Sequence, residues 1–138
     1  MYTNAYISNV SSQLNRLLVF KQVFNEYIHT CEKIIHGKCL ASESTKTLHS
    51  YFIRNLARFK PFVDEFRSMS APEEYEEMHA EIMDGVKQYE KAITEIMFAM
   101  KGTHLDQRQF KIGVSEQERA LANINFSYFD SIRYNVGA

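Results

Sequence analysis

The stretch from residue 7 to residue 35 constrains the fold most, because apolar side chains recur in it at alternating spacings of three and four. That spacing is typical of a long helix with an apolar seam along one side. Lys21 interrupts an otherwise unbroken seam. Its apolar members are Ile7, Val10, Leu14, Leu17, Phe24, Ile28, Cys31 and Ile35.

A second set of apolar residues widens this helix face. Phe20, Val23, Tyr27 and Ile34 lie on one flank of the seam, and Leu18 lies on the other. At about 100° per residue the apolar arc spans roughly 200°, about twice the width of a one-sided surface helix. We therefore expect this helix to need partners on more than one side.

Size and composition restrict the class of protein. A chain of 138 residues, 45% apolar and with 5 Gly and 2 Pro, fits one compact domain covering residues 1–138. Lys plus Arg (16) and Asp plus Glu (17) nearly cancel, which argues against a nucleic-acid binder. The N-terminus has no signal pattern, and Cys31 and Cys39 are about 12 Å apart on a helix, too far to pair. These features predict a cytoplasmic protein that does not cross a membrane.

The spacing predicts four helices joined by short connections. Helix 1 is expected from Asn4 to His36, with Gly37 in the left-handed position after its end. Helix 2 should follow the connection at 38–44 and carry a kink or a short break at Phe59-Lys60, because Pro61 lies within it.

Two capping boxes predict the starts of the remaining helices. Ser70 and Glu73 have the required spacing, as do Ser115 and Glu118. Helix 3 should end at Gly102, and Gly85 within it indicates a neighbouring backbone packed close against it. The expected fold is all-α, an antiparallel four-helix bundle.

The motifs of metal and enzyme chemistry are incomplete. A di-iron bundle needs two Glu-x-x-His pairs, whereas the chain has only Glu76-x-x-His79, which we interpret as a solvated first helical turn. His29, Cys31, His36 and Cys39 have zinc-ligand chemistry, but on a helix Cys31 points away from His29. Gly-x-Ser-x-Gly and glycine-rich phosphate loops are absent. We predict no metal, no cofactor and no enzyme activity.

Residues from Leu48 to about Ile96 resemble a helical domain of uncharacterised proteins from Gram-positive bacteria. The features that carry the resemblance are an aromatic-rich helix, a helix begun by Ala71-Pro72-Glu73, and then His79, Gly85, Tyr89 and Ala92. It covers about a third of the chain. It implies a helical fold and a bacterial or phage source, and it lends no activity.

Two functions fit these expectations. The first is a protein-interaction or regulatory module that self-associates as a homodimer, because wide apolar surface normally marks an interface. The alternative is a sensor or carrier that encloses a fatty acid or haem in a methionine- and aromatic-rich core. The candidate partner-binding residues are Phe20, Val23 and Tyr27 of helix 1 and Phe126 and Phe129 near the C-terminus.

Overall fold

The computed structural model describes the backbone of residues 2–37 and 41–124. The described part is predominantly helical, with one short hairpin. The elements are α1 (Tyr2–Ile35), α2 (Ala41–Ser68), a 3₁₀ turn (Glu73–Tyr75), α3 (Glu76–Phe98), β1 (Met100–Lys101), β2 (His104–Leu105) and α4 (Gln107–Ala122). The predicted all-α four-helix bundle is confirmed.

Side-chain contacts give the helix directions. As residue numbers rise along α1 they fall along α2, from the Arg16–Glu65 ion pair to the Tyr27–Tyr51 ring contact. Between α2 and α3 the order is again reversed, because Phe66 contacts His79 and Phe59 contacts Tyr89. Gly113 of α4 lies against Ile96 of α3, whereas Ile124, further along the chain, lies against Gly85. Neighbouring helices are therefore antiparallel.

The first two helices follow the sequence expectation closely. α1 ends at Ile35, and Gly37 has a φ of +69°, the left-handed conformation that glycine adopts without strain. α2 continues through Pro61 without the break that we considered. Both Pro61 and Ala57, whose carbonyl loses its usual donor, lie on the exposed side, so water can satisfy that carbonyl.

The capping box predicted at Ser70 is wrong. The chain enters α3 through a 3₁₀ turn in which the Tyr75 amide donates to the Pro72 carbonyl at 2.8 Å, and no side chain caps either segment. Pro72 has an extended ψ of 152°, so the helical path begins only after it. Proline still marks the start of the helical region, by its rigid φ rather than by a capping serine.

The predicted start of helix 4 at Ser115 is also wrong. α4 begins at Gln107, and the Asp106 carboxylate caps it by accepting from the Gln109 amide at 3.0 Å. The chain reverses through Gly102, whose φ is +65°, and β1 pairs with β2. This tight hairpin uses few residues, and the pattern Ser115 to Glu118 therefore falls inside α4.

A cluster of aromatic rings fills the centre of the bundle. Phe24 of α1 is fully buried and lies 5.8 Å from Phe52 and 6.2 Å from Phe59, measured between ring centroids. It also lies 6.3 Å from Tyr89 of α3. These distances are typical of favourable offset and edge-to-face pairs. One side chain of α1 thus joins three helices.

Two glycines let α3 and α4 approach closely. A Cβ atom at Gly113 would lie 2.6 Å from Cγ1 and 3.2 Å from the backbone nitrogen of Ile96. A Cβ atom at Gly85 would lie 2.6 Å from Cγ1 of Ile124. The close neighbour expected at Gly85 is therefore present, although it is chiefly a side chain. Gly113 meets backbone, which cannot move away as easily.

We predict that Gly113→Ala destabilises the protein although alanine is the better helix former. The propensity gain of about 1 kcal/mol offsets only part of an overpacking penalty of about 1–3 kcal/mol, so a net loss of up to about 2 kcal/mol is expected. Urea denaturation followed by circular dichroism measures this loss. Ser115→Ala, at an exposed position of α4, is the control. An unchanged or higher stability of Gly113→Ala would contradict the close helix packing.

Candidate interaction surfaces

The predicted partner residues of α1 lie along its junction with α2. Phe20 is half-buried and meets Phe59 edge-on, with centroids 4.9 Å apart. Tyr27 is half-buried, stacks on Tyr51 at 5.5 Å and accepts a 3.0 Å hydrogen bond from the Asn55 amide. Val23 is half-buried as well. Part of the wide apolar arc of helix 1 is therefore covered within the chain itself, and the role of the remainder stays a prediction.

The other two predicted residues, Phe126 and Phe129, lie outside the described residues, which end at Ile124. Their assignment to a partner surface stays a prediction.

Over residues 5–25, the outward side of α1 carries almost no charge. Arg16 is the one charged residue among the exposed side chains from residue 5 to residue 25, and its guanidinium is 2.9 Å from the Glu65 carboxylate of α2. Leu18 and Val19 are 41% and 60% exposed. We define the α1 outer face as its uncharged exposed residues, which are Ala5, Ser8, Asn9, Ser12, Asn15, Leu18, Val19, Gln22 and Asn25.

His79 forms a polar junction between three helices. Its ring stacks on Phe66 of α2 with centroids 4.5 Å apart and an interplanar angle of 6°. Nε2 is 3.2 Å from the Phe66 carbonyl, so Nε2–H donates, and Nδ1 then accepts from the Tyr6 hydroxyl of α1 at 2.8 Å. The expectation of a solvated first turn is wrong, since His79 is half-buried.

These contacts favour the neutral imidazole. Burial lowers the pKa of His79 below its ordinary value of 6.5, and the hydrogen bond to the Phe66 carbonyl opposes that effect. A protonated ring would carry a donor at Nδ1, where the neutral ring accepts from Tyr6. The junction can therefore bind the three helices together at neutral pH and weaken in acid.

Two of the candidate zinc ligands, His29 and Cys31, are not brought together. Cys31 is fully buried and His29 is exposed, which agrees with opposite faces of one helix. Burial raises the pKa of the Cys31 thiol to about 12, so it is neither a ready metal ligand nor a nucleophile at neutral pH. Cys39 lies outside the described residues. In the described part of the chain, no three His, Cys, Asp or Glu side chains are arranged to hold a metal ion.

Buried polar atoms in the core offer little chemistry. The Tyr89 hydroxyl and the Gln117 carbonyl oxygen are buried and have no hydrogen-bond partner among the described residues. Burial raises the pKa of Tyr89, which keeps its phenol protonated and unable to act as a base. Among the described residues, these buried polar groups therefore provide no arrangement of side chains for catalysis.

Sequence reasoning missed two of these features. The junction at His79 could not be found, because its partners Tyr6 and Phe66 are 73 and 13 residues away in sequence. The α1 outer face did leave a signal, since residues 2–15 contain no Lys, Arg, Asp or Glu.

We predict that His79 contributes to the pH dependence of stability. A base whose pKa is lower in the folded protein stabilises the fold above the unfolded value of 6.5, and this contribution is lost as the pH falls toward the folded value. Between pH 7.5 and pH 5, the free energy of unfolding should fall less in His79→Gln than in the wild type. Urea denaturation across that range measures the slopes.

His104→Gln is the matched control, because His104 is exposed on β2 and forms no ion pair with the described residues, and the histidine-to-glutamine change there removes no contact between helices. Equal slopes for the wild type and His79→Gln would contradict the assignment.

Comparison with known proteins gives a family but no activity. No curated protein and no solved structure matches the chain significantly. Among the described residues, no helix combines the length and the apolar character needed to cross a bilayer. The sequence profile of one family matches residues 10–116, more than half of the chain. The chain therefore belongs to the family described as Domain of unknown function (DUF7018).

Proposed function

We propose that this protein is a non-enzymatic protein-interaction module that self-associates as a homodimer through the α1 outer face. The observation that carries the proposal is the scarcity of charge on the exposed side of α1 over residues 5–25, where Arg16 is the one exposed charged residue, together with the exposure of Leu18 and Val19. Charged residues are depleted at the centres of protein interfaces, because each buried charge would have to lose its hydration. The face has that character over about five helical turns.

A second copy of the chain suits this face better than a charged partner. In a two-fold symmetric contact, residues near the axis meet their own counterparts, so a charge there would face a like charge. Small neutral side chains such as Ser8, Ser12 and Asn15 avoid that repulsion. Arg16, at the edge, already pairs with Glu65 within the protomer.

The sequence candidates extend this surface toward α2. Val19, Val23 and Tyr27 are spaced by four residues and form one row along the helix. Val23 and Tyr27 are half-buried and keep some surface for a partner. We therefore place Val23 and Tyr27 at the margin of the proposed interface and Leu18 and Val19 at its centre. Phe20 packs mainly against Phe59 and Phe62 and would act through the core.

The carrier hypothesis has less support. The rings of Phe24, Phe52, Phe59 and Tyr89 contact one another where a ligand in the bundle core would lie. A fatty acid or haem would have to displace these contacts. We therefore favour a function at the surface.

The proposal also places the protein in the cytoplasm of a Gram-positive bacterium or its phage. Cys31 remains a buried free thiol, which agrees with a reducing compartment.

We predict that Leu18→Lys and Val19→Lys each raise the dissociation constant of the homodimer by about tenfold or more, since each variant buries a charge next to its own copy. The free energy of unfolding of the protomer should change by less than about 0.5 kcal/mol, because both positions are exposed. Analytical ultracentrifugation across a concentration series measures the first quantity and urea denaturation the second.

Ile112→Lys is the matched control, because Ile112 is 49% exposed on α4, outside the α1 outer face. Its dimer should form as in the wild type. A wild-type protein that remains monomeric at about 100 μM, a concentration at which even weak specific contacts are populated, would overturn the proposal. Dimers unaffected by either α1 substitution would overturn the choice of surface.

A further inference from the structure

The near-zero net charge conceals a strong separation of charge along α2 and α3. Residues 44–63 contain four Lys or Arg and no Asp or Glu. Lys46, Arg54 and Arg58 are exposed and form no ion pair with the described residues. Since they are spaced by eight and four residues, they share one side of α2. We call these three residues the α2 basic face. Lys60 is not included in this face, because its positive charge favours the ionised carboxylate of Glu90 on α3 and so opposes the rise in pKa that burial of that group causes.

The opposite charge is concentrated at the beginning of α3. Residues 73–84 contain six Asp or Glu and no Lys or Arg. All six are exposed, and Glu77 and Glu81 form no ion pair with the described residues. We call the six residues the α3 acidic face: Glu73, Glu74, Glu76, Glu77, Glu81 and Asp84.

Within one protomer, no ion pair joins the described residues of the two faces. His79, in the middle of the acidic run, stacks on Phe66, which marks the level of the acidic face along α2. Arg54 and Arg58 precede Phe66 by twelve and eight residues, so the nearer of the two is about 12 Å away along the helix axis. That separation exceeds the Debye length of about 10 Å at 0.1 M salt. The charges of each face therefore remain available to a partner outside the protomer.

The α2 basic face also offers apolar contact. Ile53 is 48% exposed and adjoins Arg54, and Ala57 and Pro61 are exposed on the same helix. Charge combined with an exposed aliphatic side chain is typical of a weak, specific protein contact, because the charges orient the partner and the apolar side chain adds burial.

We propose that the α2 basic face of one copy binds the α3 acidic face of a second copy. The acidic face on the same chain is the argument for this occupant, because every copy carries both complementary surfaces. The net charge of −1 gives no overall attraction toward a polyanion such as nucleic acid or an anionic membrane. The contact joins different faces, so it leaves one free face at each end and can add further copies.

This inference uses surfaces separate from the α1 outer face and does not depend on the proposed dimer. The two contacts differ in their response to salt. An apolar contact is little affected by salt, whereas a contact between charged faces is screened. Association beyond the dimer should thus be strong at about 20 mM NaCl and largely lost at about 500 mM, where the Debye length is only a few ångströms.

A crossed charge reversal tests the contact. Arg54→Glu/Arg58→Glu changes the charge of the α2 basic face from +3 to −1, and Glu77→Lys/Glu81→Lys reduces the charge of the α3 acidic face from −6 to −2. Each variant alone should lose the salt-sensitive association, with its dissociation constant raised by about tenfold or more. A mixture of the two in equal amounts should recover it, since one now supplies an acidic and the other a basic surface. Sedimentation velocity at low and high salt measures the association.

Lys111→Glu and Glu118→Lys, both exposed on α4, change the net charge without touching either face and should associate as the wild type does. Thermal unfolding by circular dichroism checks that each variant is folded. The inference is overturned if the wild type shows no salt-sensitive association, or if either double variant alone associates as the wild type does. It is also overturned if the two folded double variants fail to recover association when they are mixed.

Binding to vesicles that contain anionic phospholipid tests whether the α2 basic face recognises a membrane instead. Binding of the wild type to them, lost in Arg54→Glu/Arg58→Glu while self-association persists, would assign the basic face to a membrane and overturn the inference. A failure of the α1 substitutions to affect the dimer would leave this result unchanged, so the two proposals fail separately.

Discussion

The rest of the bundle depends on the packing of the Phe24 ring against its neighbours. It lies against Phe52 and Phe59 of α2 and Tyr89 of α3, so that one fully buried side chain fixes the positions of three helices. Burying a phenylalanine contributes about 1.5–3 kcal/mol, and the ring pairs add about 0.5–1.5 kcal/mol each. The size of these rings also determines how far α1 stands from α3. Between α3 and α4, by contrast, Gly85 and Gly113 have no side chain and allow the helices to approach closely.

At the end of the bundle where α1 and α3 begin, hydrogen bonds to His79 act together with ring stacking. His79 contacts Phe66 by stacking and by a hydrogen bond to its carbonyl, and it accepts from the Tyr6 hydroxyl. Tyr6 also stacks on Tyr75, just before α3 begins. Apolar rings in the middle and a hydrogen-bonded histidine at one end together specify a single helix register, because a buried polar group tolerates only the arrangement that satisfies it. A firm framework of this kind presents its outer surfaces in fixed relative positions.

Those outer surfaces differ in character from helix to helix. The outer side of α1 is nearly free of charge, that of α2 is basic over its first two thirds, and the first half of α3 is acidic. A chain whose charges were mixed evenly would have the same net charge and no preferred orientation toward a partner. Segregated faces on a rigid bundle favour recognition at the surface, and we consider assembly of copies of the chain the simplest use of them.

The sequence by itself determined the number of helices, the seam of α1 and the turn at Gly37, because helix periodicity and glycine conformation are local properties. It misplaced the start of α4, since the signal at Asp106 is a single capping residue that only the hairpin before it makes meaningful. The candidate residues Phe20 and Tyr27 were correctly identified as lying beyond the central seam, yet only tertiary packing decided that α2 covers much of each ring. The His79 junction and the proximity of Gly113 to Ile96 were likewise decided by the tertiary structure, because their partners are distant in sequence and no local pattern encodes which helices become neighbours.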